Sequence, residues 1–160
     1  MSDLRRDLKK KNPFESAAAE VVVSILRTNE LFQHRFGQLF RQFDLNQPQY
    51  NILRILYGEG QPLPALEIAS RMVSVVPAIT GLVDKLEKKG LVERRRCERD
   101  RRVCYVGLTQ HGTQLVEQLR DPNESLHQEL AGHLSDGESK ELLRLLEKAR
   151  KSVARDNSDN

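Results

Sequence analysis

One segment, residues 91–108, departs from the helical spacing at which the other apolar residues of the chain mostly recur, and its last six residues, VCYVGL, alternate in the manner of a strand. Two extended runs, 91–96 and 103–108, flank a charged tip. Alternation with a period of two is typical of β-strands, and a polar tip between two such runs predicts a β-hairpin. We therefore expect a mainly α fold with one small β-hairpin.

Helical periods precede this hairpin. Apolar residues three and four positions apart predict a long helix over about 14–43 and shorter helices over 49–57, 65–71 and 76–89. Gly90 stands where a left-handed C-terminal cap usually ends a helix. A short helix, a turn, a second helix and a hairpin, in this order, are typical of a winged helix-turn-helix.

Two further helices are predicted after the hairpin. Thr109 is a favourable N-cap for a helix from 110 to about 134, and Pro122 predicts a kink within it. Ser135 and Glu138 have the spacing of a capping box, which indicates the start of the last helix.

The first and last helices carry apolar stripes but have no core of their own to bury them. The stripes comprise Val22, Ile25, Leu26, Phe32, Phe36, Leu39, Phe40 and Phe43, and then Leu142, Leu145, Leu146, Ala149 and Val153. Packing against a second copy of the chain would bury both stripes. The regions 14–45 and 110–155 are therefore expected to form a helical dimerisation region.

Positive charge is concentrated at the predicted hairpin. The formal net charge of the chain is +3, yet residues 94–102 alone hold six arginines against Glu98 and Asp100, which leaves the remainder close to neutral. The planar guanidinium of arginine forms paired hydrogen bonds with phosphate and with guanine edges. The hairpin is therefore predicted to contact nucleic acid, the alternative being a solvated charged hairpin.

Several other classes of protein are not expected. The 160 residues include no apolar run of about eighteen and no secretory signal, which predicts a cytoplasmic protein without membrane contact. The sequence contains no glycine-rich phosphate loop and no G-x-S-x-G or H-E-x-x-H motif, so an enzyme is not expected. Two cysteines and four scattered histidines do not have the spacing of a metal site.

Three segments, in order, resemble the MarR family of transcriptional regulators. Residues 66–72, LEIASRM, look like the first helix of its helix-turn-helix, and residues 79–94, ITGLVDKLEKKGLVER, look like its recognition helix running into the wing. Residues 100–109, DRRVCYVGLT, match the wing pattern D-x-R-x-x-x-V-x-L-T at every fixed place. The resemblance implies a single domain over 1–160 with a DNA-binding winged helix-turn-helix over 47–109.

The resemblance also implies a homodimer that binds a palindromic duplex and regulates transcription, with repression the commoner outcome in the family. In such a fold the first turns of the recognition helix meet base edges, which selects Pro77, Ala78 and Thr80. Many members carry arginine at the place of Gly81, so this chain lacks a long basic side chain there.

The remaining DNA contacts are expected around the hairpin and the turn. The resemblance implies that Arg102 enters the minor groove and that Asp100 holds it through an ion pair. Phosphate contacts are expected from a set of further residues, namely Arg71, Ser74, Arg94, Arg95, Arg96, Arg99 and Arg101. For Arg71 and Ser74 the alternative is an ordinary surface position.

Control by a small ligand or by oxidation is the last implication. No cofactor is expected, and the implied effector is a phenolic or other aromatic acid bound between the dimer helices and the winged domain. Cys97 lies among the arginines, a setting that favours the thiolate, so redox sensing through Cys97 and Cys104 is one alternative. A winged helix used only for protein interaction is another, but it would not require arginines concentrated in the hairpin.

Overall fold

The computed structural model describes residues 3–74, 79–96 and 103–154. Within these ranges the helices are α1 (Asp3–Asp7), α2 (Ala17–Arg41), α3 (Gln47–Glu59), α4 (Ala65–Ser70), α5 (Ile79–Lys88), α6 (Gln110–Ala131) and α7 (Asp136–Ala154). The strands are β1 (Leu63–Pro64), β2 (Val92–Arg96) and β3 (Cys104–Leu108). The predicted fold class, mainly α with a small β wing, is confirmed.

The sheet has the order β1-β3-β2, and both pairings are antiparallel. The predicted hairpin is present, with Val92 opposite Leu108 at one end and Arg96 opposite Cys104 at the other. Strand β1 was not predicted: its Leu63 pairs with Val106, but it is only two residues long. Its second residue, Pro64, has no N–H group to donate, and proline is therefore confined to edge strands. A strand this short that includes a proline shows no alternation from which it could be predicted.

Local signals that end and begin helices have the geometry that the sequence predicted. Gly90 follows α5 with φ of 68°, a left-handed conformation that glycine adopts readily. The Thr109 hydroxyl accepts a hydrogen bond from the N–H of Gly112 at 3.0 Å and so caps the start of α6. Ser135 and Glu138 form the predicted capping box before α7.

Several helices differ from their predicted bounds by one or two residues, and α2 and α6 each differ by three at one end. The first long helix begins only at Ala17, because the Ser16 side chain accepts the N–H of Ala19 at 3.1 Å and caps the helix there. Helix α6 runs unbroken through Pro122 and ends at Ala131, short of the predicted residue 134. The proline removes one backbone donor from the helix, and the helical residues nevertheless continue on both sides of it.

The chain divides into two compact units, residues 1–122 and 123–160. The first unit has a core to which helices α2 to α6 and all three strands contribute. The fully buried members of this core include Phe40, Ile52, Leu53, Ile68, Val83, Leu86, Val92, Val106, Val116 and Leu119. The Phe40 ring stacks on Tyr50, with 4.3 Å between the ring centroids, and this contact joins α2 to α3. In the second unit, Leu126 is buried.

Part of each predicted apolar stripe remains exposed. The apolar face of α2, which we define as Val21, Val22, Ile25 and Leu26, is largely open to solvent, and Leu26 is 62% exposed. On α7, Leu142, Leu143, Leu145 and Val153 are exposed as well. Contiguous exposed apolar side chains are typical of surfaces that bind other proteins. Among the described helices, none has the length and apolar character needed to cross a lipid bilayer.

Candidate nucleic-acid interface

Helix α5 buries one face and exposes the other. Ile79, Val83 and Leu86 lie at positions i, i+4 and i+7 and are buried in the core of the first unit. This orients Thr80 and Gly81 toward solvent. A Cβ at Gly81 would have no atom within 4 Å, so a larger side chain would fit at this position. The helix surface is open here only because glycine has no side chain. Of the other residues predicted on this surface, Pro77 and Ala78 lie outside the described part of the chain.

The hairpin places its described arginines differently from one another. Arg95 and Arg96 are exposed on β2, and Arg95 is 70% exposed, with its guanidinium 2.5 Å from the Glu93 carboxylate. The predicted tip contacts, Arg99, Asp100, Arg101 and Arg102, lie outside the described residues, as does Cys97. Cys104 is half-buried on β3 and does not take part in a disulfide.

Arg94 turns the other way and contacts helix α5. Its Nη1 atom lies 2.6 Å from Oδ1 of Asp84 and 2.8 Å from Oε2 of Glu87. Its Nη2 atom donates to the backbone carbonyl of Thr80 at 3.2 Å. We name this group, formed by Arg94, Asp84, Glu87 and the Thr80 carbonyl, the helix–wing cluster. The predicted phosphate contact of Arg94 is not tested by the structure, which gives this side chain three partners within the protein.

Electrostatics keep the helix–wing cluster charged. Partial burial acts to lower the pKa of Arg94, but the hydrogen bonds to Asp84 and Glu87 outweigh it and raise that pKa above its usual value. One guanidinium then faces two carboxylates, so the cluster carries a net negative charge. This is an unusual charge for a group next to the exposed face of α5, where the sequence predicts contact with DNA.

Arg71 is also held by carboxylates. Its Nη1 atom lies 2.7 Å from Oε2 of Glu59 at the end of α3, and its Nη2 atom pairs with Glu67 on α4. The hydrogen bond from Arg71 lowers the pKa of Glu59, and a hydrogen bond from Gln61 lowers it by a smaller amount. A phosphate contact by Arg71 therefore has to compete with these two partners. Ser74, the other residue predicted near the turn, is exposed.

A second ion pair joins the end of α5 to the turn after α2. Lys89 Nζ lies 2.9 Å from Oδ2 of Asp44 and also donates to the Asp44 carbonyl oxygen. Asp44 has φ of 54°, which is uncommon for a residue other than glycine but which aspartate tolerates. Sequence reasoning did not identify this pair, because its members are 45 residues apart and neither belongs to a motif.

A pocket of about 410 Å³ opens beside the outer face of the wing strands. Its lining comes from α3, the loop before β1, strands β2 and β3 and the first turn of α6, and comprises Leu56, Tyr57, Gly60, Gln61, Pro62, Glu93, Arg95, Gly107, Leu108 and Thr113. The Tyr57 hydroxyl donates to Oε1 of Glu117 at 3.4 Å. The pocket therefore combines apolar walls with a phenol, a hydroxyl, an amide and the ion pair between Arg95 and Glu93.

A helix-turn-helix whose second helix leads into an arginine-bearing antiparallel wing defines the class of winged-helix DNA-binding regulators. The model of the MarR family matches residues 45–104. A crystal structure of a MarR transcription factor from Planctomyces limnophilus is 37% identical, with a TM-score of 0.66, over 84% of this chain and 98% of that one. The chain belongs to the MarR family of transcriptional regulators.

Two further comparisons extend this result. The crystal structure of the S. aureus MepR–DNA complex is 26% identical, with a TM-score of 0.71, over 88% of this chain and 99% of that one. The transcriptional regulator FarR of Neisseria gonorrhoeae is 29% identical over 107 residues, which are 67% of this chain and 73% of FarR. The predicted resemblance is thus confirmed at the level of the family.

Proposed function

We propose that this protein is a homodimeric repressor that binds a palindromic DNA duplex and is released from it by a small ligand. The observation that carries the proposal is the placement of α5 and the wing, in which the exposed face of α5 lies beside a hairpin rich in arginine. MepR, a relative with the same fold, was solved in complex with DNA. Two other relatives, the homoprotocatechuate degradative operon repressor of Escherichia coli and IacR of Pseudomonas putida, are named as repressors.

The dimer is supported by the exposed apolar side chains of α2 and of α7. A two-fold dimer presents two recognition helices related by the same symmetry, and a palindromic site matches that symmetry with two half-sites about one helical turn apart. In this proposal residues 14–45 and 110–155 assemble the dimer, and residues 47–109 bind DNA.

The proposed DNA contacts follow the two exposed elements. Pro77, Ala78 and Thr80 face the major groove, where Thr80 offers both a hydroxyl group and a methyl group to base edges. Arg102, held by Asp100, enters the minor groove. Phosphates are met by Ser74 and Arg71 at the turn and by four arginines of the hairpin segment, Arg95, Arg96, Arg99 and Arg101.

Fluorescence anisotropy with a labelled duplex of about 30 base pairs, enriched by the wild-type protein from a random library, tests this function. We expect saturable binding that weakens steeply with salt, because each neutralised phosphate releases counterions. Arg102→Ala is expected to weaken binding to this selected duplex about 30-fold, since a dimer loses two contacts of about 1 kcal/mol each.

Arg150→Ala removes the same charge from an exposed position on α7 and serves as the control. It is expected to bind the selected duplex as the wild type does. Equal affinity of the wild-type protein for the selected and random duplexes would contradict sequence-specific binding. Equal affinity of Arg102→Ala and the wild type would contradict the minor-groove contact alone.

For the effector we propose an aromatic acid in the pocket beside the wing. Its volume lies within the range of pockets that hold small ligands. Leu56, Leu108 and Tyr57 can enclose a ring, and the carboxylate of the acid can compete with Glu93 for the Arg95 guanidinium. A carboxylate bound there would engage an arginine that the proposal otherwise assigns to phosphate, which links ligand binding to release from DNA.

Homoprotocatechuate and benzoate are suitable probes of this pocket. Each is expected to weaken binding of the wild-type protein to the selected duplex in a saturable manner. Because Tyr57 forms part of the pocket wall, Tyr57→Ala is expected to shift the half-effective concentration about tenfold higher, the equivalent of about 1.4 kcal/mol. An unchanged response in Tyr57→Ala would place the ligand elsewhere, and no response to either acid would contradict an aromatic-acid effector.

A further inference from the structure

The helix–wing cluster connects two elements that the proposed function brings to DNA together. Its members on α5 are the carbonyl of Thr80 and the carboxylates of Asp84 and Glu87, at positions i, i+4 and i+7. These positions lie on one side of a helix and span two turns of it. A single guanidinium from β2 therefore holds a stretch of α5 that begins beside the exposed Thr80.

The strand end of this connection is equally well fixed. Arg94 pairs with Val106 across the hairpin, and Val106 is fully buried in the core. The Arg94 backbone N–H also donates to Oε1 of Glu87 at 3.3 Å, so main chain and side chain both contact the same glutamate. The Arg94 side chain is only 25% exposed, which distinguishes it from its neighbour Arg95.

The charge of the cluster argues against a role in attracting DNA. Two carboxylates and one guanidinium leave a net charge of −1, and negative charge close to phosphate weakens binding. The Arg94 side chain is less exposed than that of Arg71, 25% against 40%, and its bonds to two acids and a carbonyl direct it into the protein. If the two acids instead hold Arg94 between α5 and β2, they contribute to DNA binding indirectly, through the placement of these two elements.

We propose that Arg94 is a positioning residue, which fixes the wing relative to the recognition helix through its bonds to Asp84, Glu87 and the Thr80 carbonyl. The role rests on the proposed DNA-binding function. It assigns Arg94 a different task from the exposed hairpin arginines, and it gives Asp84 and Glu87 a part in DNA binding although neither touches DNA.

The sign of one effect separates positioning from a phosphate contact. If Arg94 bound phosphate, the double variant Asp84→Asn, Glu87→Gln would release it and remove two negative charges, so binding to the selected duplex would become tighter. The positioning role predicts the opposite result, which is binding about tenfold weaker than that of the wild-type protein, equivalent to about 1.4 kcal/mol. Fluorescence anisotropy at fixed salt measures this change.

Glu93→Gln is the matched control, because it removes an acid from the same hairpin outside the cluster. We expect it to tighten binding slightly, by about twofold, as the loss of an exposed negative charge near a polyanion should. Thermal unfolding of each variant checks the fold. The midpoints are expected to stay close to that of the wild type, because the carboxylates of Asp84 and Glu87 are 49% and 42% exposed and ion pairs at such positions contribute little to stability.

Arg94→Lys provides a second, independent test. Lysine keeps the charge and binds phosphate well, but it cannot make the forked contact with two carboxylates and a carbonyl. Positioning therefore predicts a loss of about tenfold in Arg94→Lys, or about 1.4 kcal/mol, and no additional loss when this change is combined with Asp84→Asn and Glu87→Gln.

The outcomes distinguish this inference from the proposed function. Tighter binding by the double variant, or wild-type affinity in Arg94→Lys, would overturn the positioning role and leave DNA binding intact. If the wild-type protein itself did not prefer the selected duplex over a random one, the proposed function would fail, whatever the cluster does.

Discussion

Gly112→Ala is expected to destabilise the first unit by about 3 kcal/mol, the upper part of the range for an overpacked core. A Cβ at this position would overlap the carbonyl oxygen of Leu91 and would lie 3.0 Å from its carbonyl carbon. Neither backbone can move away easily. Thr109 donates its N–H to the Leu91 carbonyl and its hydroxyl to the Gly90 carbonyl, at 3.1 and 2.6 Å, and so holds the start of α6 against this segment.

Urea unfolding followed by circular dichroism measures this change. Gly58→Ala is the control, because Gly58 lies inside α3 and a Cβ there would have no atom within 4 Å. Alanine at that position should stabilise the helix by about 0.5–1 kcal/mol. Wild-type stability in Gly112→Ala would mean that the close approach of α6 to Leu91 is not maintained in solution.

Leu26→Glu is expected to dissociate the proposed dimer and to reduce affinity for the selected duplex more than 100-fold. Leu26 lies in the apolar face of α2, and a carboxylate buried there at an interface would have to lose its hydration without gaining a partner. A monomer holds only one half-site, so it loses the effective concentration that joins two binding events into one. Static light scattering gives the mass, and anisotropy gives the affinity.

Arg27→Glu introduces the same acid at the next position, about 100° further round the helix. Because this position lies away from the apolar face, the variant is expected to keep the dimer mass. A dimer mass for Leu26→Glu would exclude the apolar face of α2 from the interface. A dimer mass together with lost DNA affinity would indicate that this face contributes to DNA binding in another way.

Most helices could be predicted because their signals are local. The spacing of apolar residues predicts that these helices exist. Capping residues such as Gly90, Thr109 and Ser135 predict where helices begin or end, in agreement with the structure. Strand β1 could not be predicted, since two residues carry no measurable period. Helix α2 begins three residues later than the apolar period alone predicts, because Ser16 acts as its N-cap.

The candidate site was predictable in part. The exposure of Thr80 follows from the burial of Ile79 and Val83 on the same helix, which the apolar period already indicates. The partners of Arg94 do not follow from the sequence, because they depend on how a strand packs against a helix. Strand alternation predicts that the arginines of 94–96 divide between two faces, but only packing shows that Arg94 bonds to α5 while Arg95 stays exposed.

The contacts around Thr109 have a consequence for how this protein can change over evolutionary time. Through Gly90 and Leu91 they join the two ends of the wing, so that residues 91–108 leave and re-enter the helical scaffold at nearly the same point. Because both ends of this segment are fixed at one place, substitutions far from that place need not disturb the helices that support the segment. The sequence of the wing can therefore change while the rest of the chain retains its fold.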